Sequence, residues 1–315
     1  MLLKQILDVF ELLDDAYVDG AKVVEFFRAI DPEVQATTWV LEGHKGTTDM
    51  VQVLIPGTKG KASGGDVPTL GILGRLGGIG ARPAQIGFVS DGDGALAALS
   101  AAAKLVDMAK KGDRLECDVI CSTQICPHAP TQPHEPVPFM GAPVEMAKVN
   151  AAEIDGRMDA ILSIDTTKGN RIINHTGFAI SPTVKEGWIL RVADDLVDIM
   201  QTVTGEPAKV FALSMQDITP YGNDVYHLNS ILQPATATDA PVVGVAITTA
   251  TAVAGCATGA TNFTSVEQAA RFAVETAKMY GRGTCHFYDE TEFARLKKLY
   301  GDMHILQTNP ELETK

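Results

Sequence analysis

The sequence lacks long apolar runs, an excess of basic residues and paired cysteine motifs. No stretch reaches the about 18 consecutive apolar residues of a transmembrane helix, so we expect no membrane span. Lys and Arg number 26 against 39 Asp and Glu, and a net charge of −13 disfavours nucleic acid as a partner. The five cysteines form no CxxC pair and the acidic start does not resemble a signal peptide, so we expect a cytoplasmic protein.

Several common catalytic motifs are also missing. The sequence has no GxSxG nucleophile elbow, no HExxH zinc motif and no GxxxxGK[ST] phosphate loop. The pair Gly78 and Gly80 is followed by Ala81, Arg82 and Pro83, which does not fit a dinucleotide fingerprint.

Predicted strands alternate with predicted helices along most of the chain. This order predicts a single α/β domain over residues 1–315, with a three-layer arrangement and a mixed, mostly parallel sheet between helices on both faces. Its parts are N-terminal helices (1–30), a hairpin (35–56) and the main sheet with its helices (66–300). Further predictions are short strands at 86–90 and 210–214, an antiparallel pair 171–180 with 184–192, and a helix 266–280 capped by Thr264 or Ser265.

Carboxylate residues follow two of the predicted strands. Asp91 and Asp93 come directly after the strand 86–90 and precede a helix, and Asp165 closes an apolar strand. Ligands of open α/β sheets bind beyond the carboxyl ends of the strands, which makes these positions candidates for a site. Asp91 and Asp93 either cap the helix or take part in binding, and Asp165 either binds a metal or caps a turn.

Two polar segments are further candidates. Residues 217–227 are dense in groups that bind ligands or transfer protons, although most loops are polar. The proline-rich loop 125–143 contains His134 and Glu135, and a loop of this length inside a domain is usually functional or disordered.

The chain resembles a bacterial and archaeal family called domain of unknown function 1177. The segments that carry this resemblance are TLGILGRLGGIGARP, SDGDGALAAL, ICPHAPTQPHEPVPFMG, ILSIDTTKGNR, SPTVKEGW, DITPYGN and YHLNSILQPATATDAPVVGVAITT. The family name implies no activity. We therefore also consider a more distant likeness.

The order of elements resembles that of zinc exopeptidases with two co-catalytic metals, a fold also described as phosphorylase/hydrolase-like. By this resemblance, Asp91 or Asp93 matches the bridging aspartate, Asp165 matches a strand-end ligand, and Glu135 matches the first glutamate of a pair. The chain departs from the pattern in three places. Arg75 begins the segment that matches His-x-Asp, the second glutamate falls on Pro136, and Cys256 lies near the position of the last histidine.

The resemblance implies two alternatives for the function. The first is a hydrolase of a small amide or peptide-like compound, and the second is a non-catalytic protein that binds a small metabolite in the same cleft. The resemblance also leaves open whether the chain binds a divalent metal such as zinc or no metal at all. Arg75 in particular suggests a guanidinium in the place of a metal, paired with Asp91, Asp93 or Asp165.

These alternatives assign a role to each candidate residue. Glu135 is the general base, and the groups that assist proton transfer are His134, Asp224 and His227. The groups assigned to the substrate are Arg75, Thr166, Thr167, Tyr221 and Asn223. Asp91, Asp93 and Asp165 are the predicted metal ligands. The expected partners are a small-molecule ligand and further copies of the chain in a homo-oligomer.

Overall fold

Two amphipathic helices open the fold. The structure is a computed structural model that describes residues 2–135, 137–253 and 255–309. Helix α1 (Leu3–Asp14) buries Ile6, Val9 and Leu13 along one stripe, as their spacing predicts. Helix α2 (Gly20–Ile30) begins where the Asp19 side chain accepts a hydrogen bond of 2.8 Å from the backbone N–H of Lys22.

The described residues form one nine-stranded mixed sheet and a separate small hairpin. The strands in the sheet are β1 (Gln35–Gly43), β2 (Gly46–Ile55), β3 (Thr69–Gly74), β4 (Val119–Ile125), β7 (Met158–Thr166), β8 (Gly177–Ile180), β9 (Val184–Lys185), β10 (Trp188–Ile189) and β11 (Val242–Thr248). The small hairpin joins β5 (Thr131–Gln132) to β6 (Phe139–Met140). The sheet order is β1-β2-β4-β3-β7-β11-β9-β10, and β8 pairs with β11.

Parallel strands occupy the centre of this sheet. Strands β4, β3, β7 and β11 are parallel neighbours, whereas β2 adds to β4 in the antiparallel direction and extends the sheet on that side. The four central strands are buried along almost their whole length, which explains their apolar sequences. Their carboxyl ends consequently lie along a common edge.

Two apolar cores flank the sheet. The further helices are α3 (Asp93–Lys110), α4 (Met146–Glu153), α5 (Asp194–Thr204), α6 (Phe263–Gly281) and α7 (Glu290–Tyr300). One core packs the sheet against α1, α2, α3, α5 and α6. The other lies under α4 and the short 3-10 turns at Met215–Ile218 and Gln233–Thr236. The predicted α/β fold is confirmed, although the second face carries more turns than helices; the single-domain boundaries stay a prediction.

Four predictions of local structure are wrong. Residues 86–90 form no strand, because the backbone N–H groups of Ser90 and Asp91 donate to the loop at Thr258 and Cys256 instead of to the sheet. Segment 210–214 makes only an isolated bridge, between Val210 and Ile180.

The antiparallel partner of β8 is β11, and not the segment 184–192. The start of α6 also differs from the prediction: the Asn262 side chain caps it by accepting hydrogen bonds from the N–H groups of Thr264 and Ser265. Among the described residues, no helix is both long and apolar enough to cross a membrane.

Candidate functional site

Close packing of α3 against the sheet brings the aspartates to its carboxyl edge. A Cβ atom on Gly94 would lie 2.5 Å from the carbonyl oxygens of both Arg75 and Ile164, so only glycine allows this approach. Arg75 directly follows β3, and its backbone N–H donates to Ile164 O at 2.8 Å. The first turn of α3 therefore lies directly on the ends of β3 and β7, and it carries Asp93 with it.

Asp91 is a buried acceptor of several hydrogen bonds. Its Oδ2 accepts from the backbone N–H groups of Gly77 (2.6 Å) and Gly78 (2.9 Å), and its Oδ1 accepts from the Cys256 thiol (2.9 Å). Burial raises the pKa of Asp91, and these donors oppose that rise. Helix α3 has no side-chain cap, so the alternative in which Asp91 or Asp93 caps it is wrong.

Asp165 is equally buried but has fewer donors. Its Oδ2 accepts from the Ser230 hydroxyl at 3.0 Å, and its Oδ1 accepts from the Thr166 N–H at 2.8 Å. Burial and the nearby Asp91 charge together raise the pKa of Asp165 to about 8, while the Arg75 charge opposes the rise. Asp165 and Asp91 thus belong to one electrostatically coupled group.

Asp93 faces a lysine that the sequence analysis did not select. Its Oδ1 accepts from the Thr261 hydroxyl at 2.7 Å, and the Lys168 Nζ lies 3.6 Å from its Oδ2. Burial raises the pKa of Asp93 to about 6 in spite of the Lys168 charge. Asp93 therefore belongs to the same acidic edge, but its principal partners come from the loops after β7 and β11.

Arg75 pairs with a glutamate on α4. Its Nη1 donates to the Glu153 carboxylate and, at 2.9 Å, to Asn150 Oδ1. The predicted ion pairs with Asp91, Asp93 or Asp165 are replaced by this one, because α4 carries Glu153 directly over the end of β3. Burial raises the pKa of Glu153 to about 7, and the Arg75 charge limits that rise.

The two threonines after Asp165 connect neighbouring loops. The Thr166 hydroxyl donates to Ser90 O at 2.7 Å. The Thr167 hydroxyl accepts from Asn229 Nδ2 at 3.0 Å. Both hydroxyls therefore tie β7 to the surrounding loops, and their predicted contact with substrate stays a prediction.

Asp217 organises the segment that contains Tyr221 and Ser230. Its Oδ2 accepts from the Ser214 N–H and hydroxyl, and its Oδ1 accepts from the N–H groups of Leu228 and Asn229. Burial raises the pKa of Tyr221 to about 12, and the charges of Asp165 and Arg75 also act on it. This segment consequently brings a phenol and a hydroxyl next to Asp165.

The other candidates on this segment bond mainly to the segment itself. His227 Nε2 lies 3.0 Å from Thr219 O, and its ring contacts the Tyr221 ring edge to face at 4.6 Å. Asn223 Nδ2 donates to the Thr219 hydroxyl at 3.0 Å. Asp224 is exposed and adopts a positive φ of 59°. Their roles in proton transfer and binding stay predictions.

His134 and Glu135 lie on an exposed part of the proline-rich loop. The His134 ring packs on Phe139, and its Nδ1 lies 3.1 Å from Val137 O. The inner part of the same loop is close to the buried aspartates, since Gly141 O lies 2.7 Å from where a Cβ on Gly77 would be. Glu135 itself is exposed, and its predicted role as general base stays a prediction.

The donor set does not fit a metal ion. In the three ranges that the structure describes, no group of three His, Cys, Asp or Glu side chains is arranged to hold one. Both Asp91 oxygens already accept hydrogen bonds, and the positive charge of Arg75, which acts on Asp165, opposes a metal cation there. We therefore derive no chemical step through a metal, and the metal assignment of Asp91, Asp93 and Asp165 stays a prediction.

Several residues of the site were missed by the sequence analysis. They are Asn150, Glu153, Lys168 and Ser230. Lys168 and Ser230 lie in the family segments ILSIDTTKGNR and YHLNSILQPATATDAPVVGVAITT, which was the available signal. No such signal marked Glu153 and Asn150, because a glutamate on a short helix usually faces solvent.

Comparison with known proteins gives a family and a distant structural likeness. A family model described as protein of unknown function (DUF1177) matches residues 40–310, which confirms the predicted family. No curated protein matches the chain. An M17 aminopeptidase from Trypanosoma brucei has a TM-score of 0.49 at 12% identity, and the match covers 86% of this chain but only 61% of that structure. This likeness is consistent with the zinc exopeptidase resemblance and carries no argument about activity.

Proposed function

The chain belongs to the family described as protein of unknown function (DUF1177). Because that description names no activity, we propose from the geometry of the site that the chain hydrolyses an amide bond in a small molecule held over Asp91 and Asp165. The observation that carries this proposal is the buried pair of carboxyl groups whose charges act on each other. Such a pair retains a proton at neutral pH and supplies both an acid and a base.

The hydrogen bonds support different roles for the two carboxyl groups. Asp91 accepts hydrogen bonds from three donors, which favour its ionised form, so it is the base. Asp165 has only two donors and a pKa of about 8, so it carries the proton. Asp91 accepts a proton from water while the water oxygen bonds to the amide carbon. Asp165 gives its proton to the amide nitrogen as the C–N bond breaks. The products are a carboxylic acid and an amine, and transfer of one proton from Asp91 to Asp165 restores the pair.

The Asp165→Asn variant tests this assignment against the one implied by family resemblance. With a panel of N-acyl amino acids and their primary amides as substrates, we expect this variant to lose about 100-fold or more in kcat, as is typical of a lost acid or base. Glu135→Gln is the matched control and should keep most of the activity. Loss of activity in Glu135→Gln together with retention in Asp165→Asn would overturn the assignment.

The second candidate function is binding without catalysis. It is supported by the hydrogen bonds that already engage both carboxyl groups and the hydroxyls of Thr166 and Thr167 within the loops. In that case, a member of the same panel should raise the Tm of the protein with no release of amine. Elemental analysis of protein purified without chelator should accompany either assay, because one equivalent of bound zinc would contradict a mechanism that uses no metal.

A further inference from the structure

Arg75 keeps one side of its guanidinium group free inside the protein. The residue is only 2% exposed, and its hydrogen bonds to Glu153 and Asn150 both use Nη1. The remaining atoms, Nε and Nη2, are buried and make no hydrogen bond in the part of the chain that the structure describes. A buried donor without a partner destabilises the folded protein, so two on one side chain require a physical reason.

The two free atoms form a geometric unit. The N–H bonds of Nε and Nη2 point the same way from one edge of the planar guanidinium, and this edge matches the two oxygens of a carboxylate. Among the described residues, Glu153 is the carboxylate within 4.0 Å of Arg75, and it occupies the other side of the group. The free edge is therefore available for a bidentate contact.

Arg75 lies beside Asp165 at the carboxyl edge of the sheet. Arg75 directly follows β3, next to Asp165 near the end of β7, and its charge acts on both Asp165 and Tyr221. A ligand over Asp165 is consequently within reach of the guanidinium. Tyr221, which the same charges affect, is 37% exposed and is the most accessible of these three side chains.

We propose that the Nε–Nη2 edge of Arg75 binds a carboxylate of the ligand, so that the substrates are small amides bearing a free carboxylate, such as N-acyl amino acids. This inference rests on the proposed function for the location of the scissile amide. It goes further by naming the group that the protein recognises. Glu153 positions Arg75 for this contact and does not itself touch the ligand.

Binding of matched acid and amide pairs tests the proposal on the unmodified protein. Isothermal titration calorimetry would compare a panel of N-acetyl amino acids with the corresponding N-acetyl amino acid amides, which differ only in the carboxylate. We expect at least one acid to bind about tenfold or more tightly than its amide. Equal binding of each acid and its amide overturns the proposal, and so does the absence of binding by every member of the panel.

An arginine-to-lysine pair of variants adds a residue-specific test. Arg75→Lys keeps the charge beside Glu153 but loses the planar fork, so we expect it to lower the affinity for the acid about tenfold or more while leaving that for the amide nearly unchanged. Arg157→Lys is the control, because Arg157 forms an exposed ion pair with Asp155. An unchanged affinity of Arg75→Lys for the acid would contradict the proposal.

The outcomes also separate this inference from the proposed function. If acids bind through Arg75 but none is hydrolysed, the carboxylate contact stands and the hydrolase proposal fails. If amides without a carboxylate are hydrolysed equally well and Asp165→Asn abolishes the activity, the hydrolase proposal stands and the role of Arg75 fails.

Discussion

Asp165 is buried and has a small number of hydrogen-bond donors. The Ser230 hydroxyl and the Thr166 N–H are its two donors, and the neighbouring Asp91 charge further disfavours its ionised form. The folded protein therefore binds this proton more tightly than the unfolded chain, in which the carboxyl has its ordinary pKa of 3.8.

This difference predicts a loss of stability with rising pH. A carboxyl whose pKa rises on folding stabilises the native state below the unfolded pKa, and that contribution disappears as the pH approaches about 8. At about 1.4 kcal/mol per pKa unit, the change amounts to several kcal/mol at most. Urea unfolding between pH 5 and about 8 measures it, the upper limit being the Asp165 pKa.

The Asp165→Asn variant supplies the control for this pH dependence. Asparagine resembles the neutral carboxyl and does not titrate, so the variant should lose clearly less stability than the wild type over the same pH range. Parallel curves for the two proteins would show that Asp165 does not carry the effect.

At the scale of single residues, the sequence predicts which charged side chains lie at the strand ends better than it predicts their partners. Asp91, Asp93 and Asp165 were found because carboxylates at strand ends converge in an open sheet. Glu153 and Ser230 lie 78 and 65 residues away from the groups they contact, and no local pattern encodes such pairings. The arginine at position 75 was selected, but its partner was assigned to the wrong element.

Among the elements, α3 depends most strongly on a single small residue. We expect Gly94→Ala to lower the free energy of unfolding by about 2–4 kcal/mol, although alanine normally favours a helix, because the new methyl group would lie 2.5 Å from two carbonyl oxygens. Gly156→Ala is the control, since that Cβ meets nothing within 4 Å. Denaturant unfolding compares the two variants, and equal stabilities would contradict the close packing.

The segment around Tyr221 depends on one buried carboxylate. Asp217→Asn replaces one acceptor oxygen by a donor, so about half of the four hydrogen bonds at Asp217 are lost, and we expect a destabilisation of about 1–3 kcal/mol. Asp224→Asn is the control, because it changes an exposed side chain on the same segment. Asparagine tolerates the positive φ of this position, so the variant should have nearly the stability of the wild type. Thermal unfolding of the two variants measures the difference.

Long periodic or fully apolar elements were predicted well. Strand β7, which Asp165 closes, has an almost continuous apolar sequence, α3 is rich in alanine, and α6 repeats its apolar residues at helical spacing. Residues 86–90 are apolar too, but their backbone groups bond to the loop near Cys256, which a one-dimensional pattern cannot indicate. Short segments are the ones decided by their tertiary partners.

For the whole molecule, the N-terminal helices extend the fold beyond the matched family region. That region begins at residue 40, whereas α1 packs on α3 and α6. We expect Ile6→Ala to cost about 2–5 kcal/mol, because Ile6 is fully buried. Leu7→Ala is the adjacent control at a side chain that is 43% exposed, and it should cost far less. Similar urea midpoints would show that α1 adds little to the stability of the core.

The ion pair between Arg75 and Glu153 also constrains how the molecule fluctuates. Helix α4 has only eight residues, and a helix of this length would ordinarily fray in water. Opening it would leave the Arg75 charge inside the protein without its counterion, which costs about 3–5 kcal/mol. Amide hydrogens of α4 should therefore exchange with deuterium on the slow timescale of the central strands, so that this helix and the sheet open together as one cooperative unit.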